Sequence, residues 1–259
     1  MTTTISSPST TAEPQLMGVP RLESSGGDWR GLYRVGGAAA LASLLVVLLD
    51  IAATVLPGPA TPEPGKGTVI DWFALLQSSW FMGIRGLGFL NVVNVALGVS
   101  LFLALYGAHR GTNGAYAALA AIVLFVGATI YIANNAALPM LALSGQYAVA
   151  ASESERSALV AAGQALLARS EDFTPGSFTG FFLLEVGQIA MALVMLRSAV
   201  FTRLTAWAGI FGFVLLSVFT VWATFVPMFF EAAMVIAMVG GLSSMLWNVL
   251  VARRLFRLG

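Results

Sequence analysis

Three residue types that carry much of protein cofactor chemistry are missing or nearly missing from this chain. It has no cysteine, one histidine (His109) and one lysine (Lys66) among 259 residues. Without cysteine there can be no disulfide, iron–sulfur cluster, thiolate zinc site or cysteine nucleophile. A single histidine excludes a bis-histidine haem and a histidine-based zinc site. Lys66 lies in a segment rich in Pro and Gly, so a Schiff-base lysine buried among helices is also excluded, and we predict neither a cofactor nor a metal.

Charge is scarce as well. Charged residues make up 10% of the chain and hydrophobic residues 58%, with a formal net charge of +1. A soluble globule of this length could not cover so much apolar surface, so the sequence predicts an integral protein whose main partner is the lipid bilayer. No basic stripe is present that would attract nucleic acid.

The hydrophobic residues are grouped in six runs of about membrane-spanning length. Each run is too long for a strand and lacks alternation, which favours an all-α, polytopic six-helix bundle over a barrel. Residues 1–29 are rich in Ser, Thr, Pro and Gly, and they predict a disordered tail with no signal-peptide core. Residues 30–259 form the predicted transmembrane domain, with spans at about 35–56, 86–106, 115–138, 178–196, 204–225 and 232–252.

Basic residues predict the orientation. Nine arginines flank the spans on the side of the two termini, whereas the opposite side has only Lys66, Arg85, Arg156 and Arg169. Because cytoplasmic loops retain Lys and Arg, both termini are predicted to be cytoplasmic in a multi-pass protein of the cell membrane. His109, in a short turn on that side, is expected to be solvated, and Trp207 and Trp247 are expected to anchor at the interface.

Both long loops on the outer side carry structural signals. The first ends in VIDWFALLQSSWF, whose aromatic residues Trp72, Phe73, Trp80 and Phe81 suit the headgroup zone. In the second, Ser152 and Glu155 fit a capping box, and the residues after them predict an extracytoplasmic amphipathic helix on the outer face of the bundle. Its apolar stripe is Leu159, Ala162, Leu166 and Leu167.

Polar side chains inside the spans are the candidates for function. An ionised side chain in hydrocarbon costs roughly 2.5–3.5 kcal/mol on insertion scales, so each needs a partner or a purpose. Asp50 and Arg85 both fall in the outer half of the membrane and are expected to form an ion pair. Glu185 lies near the centre of the fourth span with Gln188 on the same helix face, and Asn134 and Asn135 fall in the outer part of the third.

Two interpretations of these residues remain open. Nearly all lie in the outer half, which an outward-facing polar pocket above a dry cytoplasmic plug would explain. Asn, Gln and Thr also serve simply as interhelical hydrogen-bonding groups, and a purely structural Asp50–Arg85 pair is equally compatible. We predict Asp50, Arg85, Asn134, Asn135, Glu185 and Gln188 as ligand-binding residues, and we expect a protonated Glu185 unless Arg85 reaches it.

Residues from about 30 onward resemble a family of bacterial six-helix membrane proteins defined as a domain of unknown function. The resemblance is carried by IANNAALPMLALSGQYAVAASESERSALVAAGQALLA, by the Gly-rich fourth span ending MLRS and by RLTAWAGIFGFVLL. It implies a six-span fold in a bacterial cytoplasmic membrane and supplies no activity and no site residues.

The function predicted from these residues is the binding or passage of a small molecule or lipid through the outward-facing pocket, without catalysis. One alternative is an intramembrane enzyme acting on a lipid or isoprenoid, with Glu185 or Asp50 as general acid; the sequence shows no paired acidic motif for it. Another is an accessory subunit whose small-residue faces in spans one and six pack on a partner. The sequence leaves the oligomeric state and any protein partner open.

Overall fold

The computed structural model describes residues 25–55, 57–62 and 65–259. The structure is 85% helical, with no strand in the described ranges, which confirms the all-α class. In these ranges ten α-helices follow one another, with a 3₁₀ turn between the last two. They are α1 (Ser25–Val55), α2 (Val69–Ser78), α3 (Trp80–Gly86), α4 (Phe89–His109), α5 (Gly114–Asn134), α6 (Ala137–Val149), α7 (Glu153–Ser170), α8 (Pro175–Leu196), α9 (Arg203–Phe225) and α10 (Phe230–Leu258).

Six of these helices, α1, α4, α5, α8, α9 and α10, lie within segments long and apolar enough to cross a membrane, as predicted. The first begins at Ser25, earlier than expected, so residues 25–29 are helical rather than part of a tail; residues 1–24 of the predicted tail lie outside the described ranges. Trp29 explains the extension, because its ring packs in the space left by Gly107 and beneath the Arg110 guanidinium, 4.1 Å from the ring centre.

The six long helices are arranged as a closed ring. In order around it, α1 packs on α4, α4 on α5, α5 on α8, α8 on α9, α9 on α10 and α10 back on α1. The contacts between α5 and α8 are close because Gly127 and Gly187 bring the two backbones together. At the end carrying both termini, which we call the terminal end, Arg34 donates a 3.0 Å hydrogen bond to the Gly259 carbonyl and closes the ring.

The other helices, α2, α3, α6 and α7, form a cap at the opposite end, the cap end. The cap has its own apolar core, in which Trp72 and Phe73 are each 1% exposed and Met140 and Leu167 are buried. The prediction that Trp72 and Phe73 lie at the headgroups is therefore wrong, because they instead shield this core. Trp80 and Phe81 are exposed, at 60% and 44%, as an interfacial position requires.

Helix α7 is present where the sequence predicted it, and most of its predicted stripe packs inward: Leu167 is buried, Leu166 packs on the same core and Leu159 is half-buried. Its Ser152 hydroxyl accepts a 3.2 Å bond from the Glu155 amide, and the Glu155 carboxylate accepts from Ala151 rather than closing the expected box. Ala162 is exposed, whereas Gly163 is buried against Val69 of α2. The absence of a side chain at Gly163 lets the two helices approach, and that determines which face is buried.

His109 and Trp247 also lie in different surroundings from those predicted. His109 is 0% exposed, stacks on Phe201 at 5.4 Å and has its Nδ1 2.8 Å from the Leu105 carbonyl oxygen. Trp247 is 1% exposed and packs edge-on against Phe213, with ring centres 5.0 Å apart. Both belong to the interior of the bundle, while Trp207 is exposed as an interfacial anchor would be.

Candidate functional site

A cavity of about 300 Å³ lies inside the ring of six helices. All six contribute to its lining, and the loop before α8 adds Phe173. The cavity exists because opposite helices hardly touch, so the centre of the ring is not filled by direct packing. Its polar lining residues are Ser43, Asn91, Asn94, Glu185, Gln188, Thr220, Ser244 and Asn248.

Glu185 is the buried carboxyl group of this cavity. It is 7% exposed, and its Oε1 accepts a 2.5 Å hydrogen bond from the Thr220 hydroxyl of α9. Its Oε2 is fully buried, and the Ser217 hydroxyl of α9, which has no other hydrogen-bond partner in the described residues, lies beside this carboxyl group. A buried polar atom without a full hydrogen bond costs about 1–3 kcal/mol, so burial of this oxygen favours the protonated carboxyl group.

Two amide side chains in the cavity are unengaged. Asn94 on α4 and Gln188, one turn after Glu185 on α8, make no side-chain hydrogen bond within the described part of the chain. Ser244 and Asn248 on α10, by contrast, donate to carbonyl oxygens of their own helix. Glu185, Asn94 and Gln188 together therefore offer acceptors and donors to whatever occupies the cavity.

Aromatic rings pack across both ends of the cavity. At the cap end, Phe173 stacks on Phe181 at 5.4 Å and meets Phe219 edge-on at 4.9 Å, and Phe230 packs beside them. Phe173 takes a left-handed backbone conformation, with φ of 61°, which places its ring in this cluster. At the other end, Phe102, Phe213 and Trp247 line the cavity.

The cavity extends further toward the terminal end than the sequence indicated. Ser244 and Asn248, which lie in the half of the bundle that the sequence predicts to be a dry plug, line it. Beyond them Val251 and Leu255 are fully buried and apolar. The prediction of a plug therefore holds only for the last turns before the terminal end.

A hydrogen-bonded network behind the cap end of the cavity was missed by the sequence interpretation. Asp172, in the connection between α7 and α8, accepts 2.9 Å bonds from the Tyr131 hydroxyl and from the amide of Asn91, which itself lines the cavity. The backbone of Gly88 passes directly beside this carboxylate, with a φ of 79°; a Cβ there would lie 2.6 Å from Asp172 Oδ2. Glycine is thus required both by conformation and by space.

Of the six predicted ligand-binding residues, only Glu185 and Gln188 line the central cavity. Asp50 and Arg85 form the expected ion pair, with Arg85 Nε 2.7 Å from Asp50 Oδ1, and the Arg85 guanidinium also binds the Thr54 hydroxyl. This pair ties α1 to the short cap helix α3 and leaves Arg85 engaged away from Glu185. The expectation that all six residues share one chamber is therefore wrong.

Asn134 and Asn135 connect the bundle to the cap. Asn134 Oδ1 accepts hydrogen bonds from the Arg169 guanidinium of α7. Asn135 donates to the Leu87 carbonyl at 2.9 Å and accepts from the Ala137 amide at 3.1 Å, which caps the start of α6. These hydrogen bonds engage the side-chain oxygens of both residues and the amide group of Asn135. Both residues therefore have the structural role that was the alternative to ligand binding.

The sequence contained a signal for Glu185 but none for Asp172. A charged residue in the middle of an apolar run stands out, whereas Asp172 follows Glu171 in a polar loop and looks solvated. Its burial depends on Tyr131 and Asn91, which are 41 and 81 residues away. No spacing rule connects such distant positions.

Comparison of the chain with protein-family models, with curated proteins and with solved structures finds no match. The chemistry of the cavity is thus the basis for a functional argument. One carboxyl group, two free amides and aromatic walls can bind a molecule that is partly apolar and carries a hydrogen-bonding or charged group.

Proposed function

We propose that this protein binds a small molecule in the central cavity of its six-helix bundle. The observation that carries the proposal is a central cavity lined by the Glu185 carboxyl group and by the side-chain amides of Asn94 and Gln188, which make no hydrogen bond in the described residues. Small-molecule sites are typically concave and mostly apolar, with a few convergent polar groups, and this lining has that character. Because aromatic rings pack across both ends, the geometry favours binding over an open passage.

The setting we propose is a bacterial cytoplasmic membrane, with both termini in the cytoplasm and the cap outside. This location is what the resemblance of the sequence implies. The positions of the basic residues support the orientation. Nine arginines flank the spans on the side of the two termini, whereas the opposite side has only Lys66, Arg85, Arg156 and Arg169.

Binding is favoured over intramembrane catalysis by the composition of the lining. General acid–base catalysis needs a second group within reach of the first. Among the described lining residues no other Asp or Glu and no His, Lys or Arg accompanies Glu185. Asp50 is paired with Arg85 and does not line the cavity.

The accessory-subunit alternative loses its main support. The small-residue face of α1 is occupied within the chain, since Gly36 packs against Ala104 and Leu255 and Gly37 against Phe256. On α10, Gly240 packs against Gly212 of α9. These faces are therefore not free for a partner.

Because the chain has no cysteine, single-cysteine variants test the proposal without a background signal. Ser244→Cys places a thiol in the cavity, and Ser100→Cys places one in a membrane helix outside the cavity lining. Methyl methanethiosulfonate, a small neutral reagent, should modify Ser244→Cys at least about tenfold faster, because reaction requires the thiolate and hence access of water and reagent.

Filling the cavity should remove this difference. Gly98 lines the cavity, and a Cβ at this position would have no neighbour within 4 Å. The larger side chain of Gly98→Leu should therefore fit, occupy part of the cavity and slow the modification of Ser244→Cys. Gly145→Leu is the matched control, since Gly145 also has no neighbour but lies on α6 of the cap. Equal modification rates at Ser244→Cys and Ser100→Cys would contradict the proposal.

A further inference from the structure

The cavity is lined by an acidic group without a basic group to neutralise it. Glu185 is the only acidic residue in its described lining, and no Lys, Arg or His of the described lining stands opposite. Arg85, which could have neutralised it, is bound to Asp50 and Thr54 at the edge of the bundle. An ionised Glu185 would therefore lack a protein counter-ion, and only a proton or a cationic ligand could compensate its charge.

The helices packed against α8 bring no further charge to Glu185. Their titratable residues lie at the helix ends, in the cap or in the network at Asp172. Those on α4, α5, α7 and α9 are Tyr106, His109, Tyr116, Tyr131, Glu153, Glu155, Arg156, Arg169 and Arg203, and none of them lines the cavity. Asp172 itself is engaged by Tyr131 and Asn91.

The walls of the cavity suit an organic rather than an inorganic cation. Six aromatic side chains line it, three toward each end: Phe173, Phe181, Phe219, Phe102, Phe213 and Trp247. Aromatic faces attract quaternary and protonated amines within about 6 Å of the ring centre, most strongly where water is excluded. No group of three or more acidic, His or Cys side chains in the described residues could hold a metal ion.

We propose that the ligand of this cavity is a monovalent organic cation with an apolar body, held by the Glu185 carboxylate and the aromatic rings. This inference rests on the proposed function and specifies the class of its ligand. When Glu185 is protonated, binding exchanges one positive charge for another: the carboxyl O–H bond breaks, the carboxylate pairs with the incoming cation and the proton leaves to water. The cavity thus remains neutral in both states.

Three probes of similar shape test this inference. Benzyltrimethylammonium is the cation, neopentylbenzene is its neutral carbon isostere and benzylsulfonate carries the opposite charge. Each is titrated calorimetrically into the full chain in lipid nanodiscs, with empty nanodiscs as the blank for partitioning into lipid. We expect binding in the order cation, neutral isostere, anion, with the cation bound at least about tenfold tighter than the isostere.

The carboxyl group is tested by Glu185→Gln, which keeps an acceptor for Thr220 but removes the charge. It should weaken binding of the cation by roughly thirtyfold or more and leave the neutral isostere nearly unchanged. Glu231→Gln is the matched control, because Glu231 is an exposed carboxyl on α10 outside the cavity lining. Titration in two buffers of different ionisation enthalpy should show proton release on cation binding by the wild type and none by Glu185→Gln.

Two outcomes separate this inference from the proposed function. If the cation and the neutral isostere bind equally and Gly98→Leu weakens both, the cavity binds small molecules but not as a cation site, and the inference fails alone. If no probe binds and Ser244→Cys is also unreactive, both fail. Cation binding that Gly98→Leu leaves intact would place the site elsewhere and would also overturn the inference.

Discussion

At the scale of single residues, Glu185 shows what sequence reasoning can and cannot reach. Its importance could be predicted, because a carboxyl in the middle of an apolar span is costly and therefore conspicuous. Its hydrogen-bond partner, Thr220, could not, since the two residues are 35 positions apart on different helices. The prediction that Trp247 lies at the membrane interface was wrong for a related reason. Aromatic residues near helix ends occur both at interfaces and in cores, and only the packing against Phe213 distinguishes the two positions.

A prediction at this scale concerns the protonation of Glu185. Because the carboxyl is buried with only the hydroxyls of Thr220 and Ser217 beside it, and Arg85 is engaged elsewhere, it should be protonated near neutral pH in the unliganded protein. Infrared spectroscopy of the protein in nanodiscs should detect a protonated carboxyl stretch that shifts in deuterated buffer and is absent from Glu185→Gln. Glu231→Gln should retain that band. A carboxylate spectrum for Glu185 throughout the neutral range would contradict the prediction.

At the scale of helices, the presence of each membrane span was easier to predict than the way the helices pack. The six spans follow from hydrophobic length alone, and their ends agree with the prediction to within a few residues except at α1 and at the end of α10. The cap is different, because short helices derive their orientation from contacts. Helix α7 adds Gly163, which packs against Val69, to the buried face that the sequence predicted, and α2 turns Trp72 and Phe73 into a core that the sequence alone could not locate.

The start of α2 provides a prediction of pH dependence. The Thr68 hydroxyl and amide both donate to Asp71 Oδ2, at 2.7 and 2.9 Å, and these bonds hold the pKa of this exposed carboxyl below its usual value. A lowered pKa in the folded state means that the stabilisation is present above the ordinary pKa and is lost as pH falls through the lowered value. The difference in melting temperature between the wild type and Asp71→Asn should therefore narrow on acidification from pH 6 to pH 3.

Thermal unfolding in detergent measures this difference. Glu153→Gln is a suitable comparison, since Glu153 is an exposed acid at the start of α7 whose pair with Arg156 spans 3.3 Å. A difference between wild type and Asp71→Asn that stays constant over the whole range would show that the capping bonds do not form in solution.

At the scale of the whole molecule, the cavity follows from the arrangement of the helices. Consecutive spans are neighbours around the ring, but α1 also closes on α10, and cap helices separate α1 from α4 and α5 from α8 in sequence. A closed ring of six helices leaves a centre that side chains must fill, and here Gly98 and Gly241 leave open space instead. Hydrophobic length specifies six spans but not their order around an axis, so a polar pocket near Glu185 and Gln188 could be predicted from the sequence, but the ring and most of the cavity lining could not.

The orientation of this ring determines from which side of the membrane the cap is reached, and it can be measured. The excess of arginine at the terminal end predicts that this end is cytoplasmic, because such loops resist translocation. In the cysteine-free chain, Ser154→Cys presents an exposed thiol in the cap and Gly111→Cys presents one in the turn between α4 and α5 at the terminal end. A membrane-impermeant maleimide applied to intact cells should label Ser154→Cys, and it should label Gly111→Cys only after permeabilisation. The reverse pattern would place the cap in the cytoplasm, and an organic cation approaching the Phe173 cluster would then come from inside the cell.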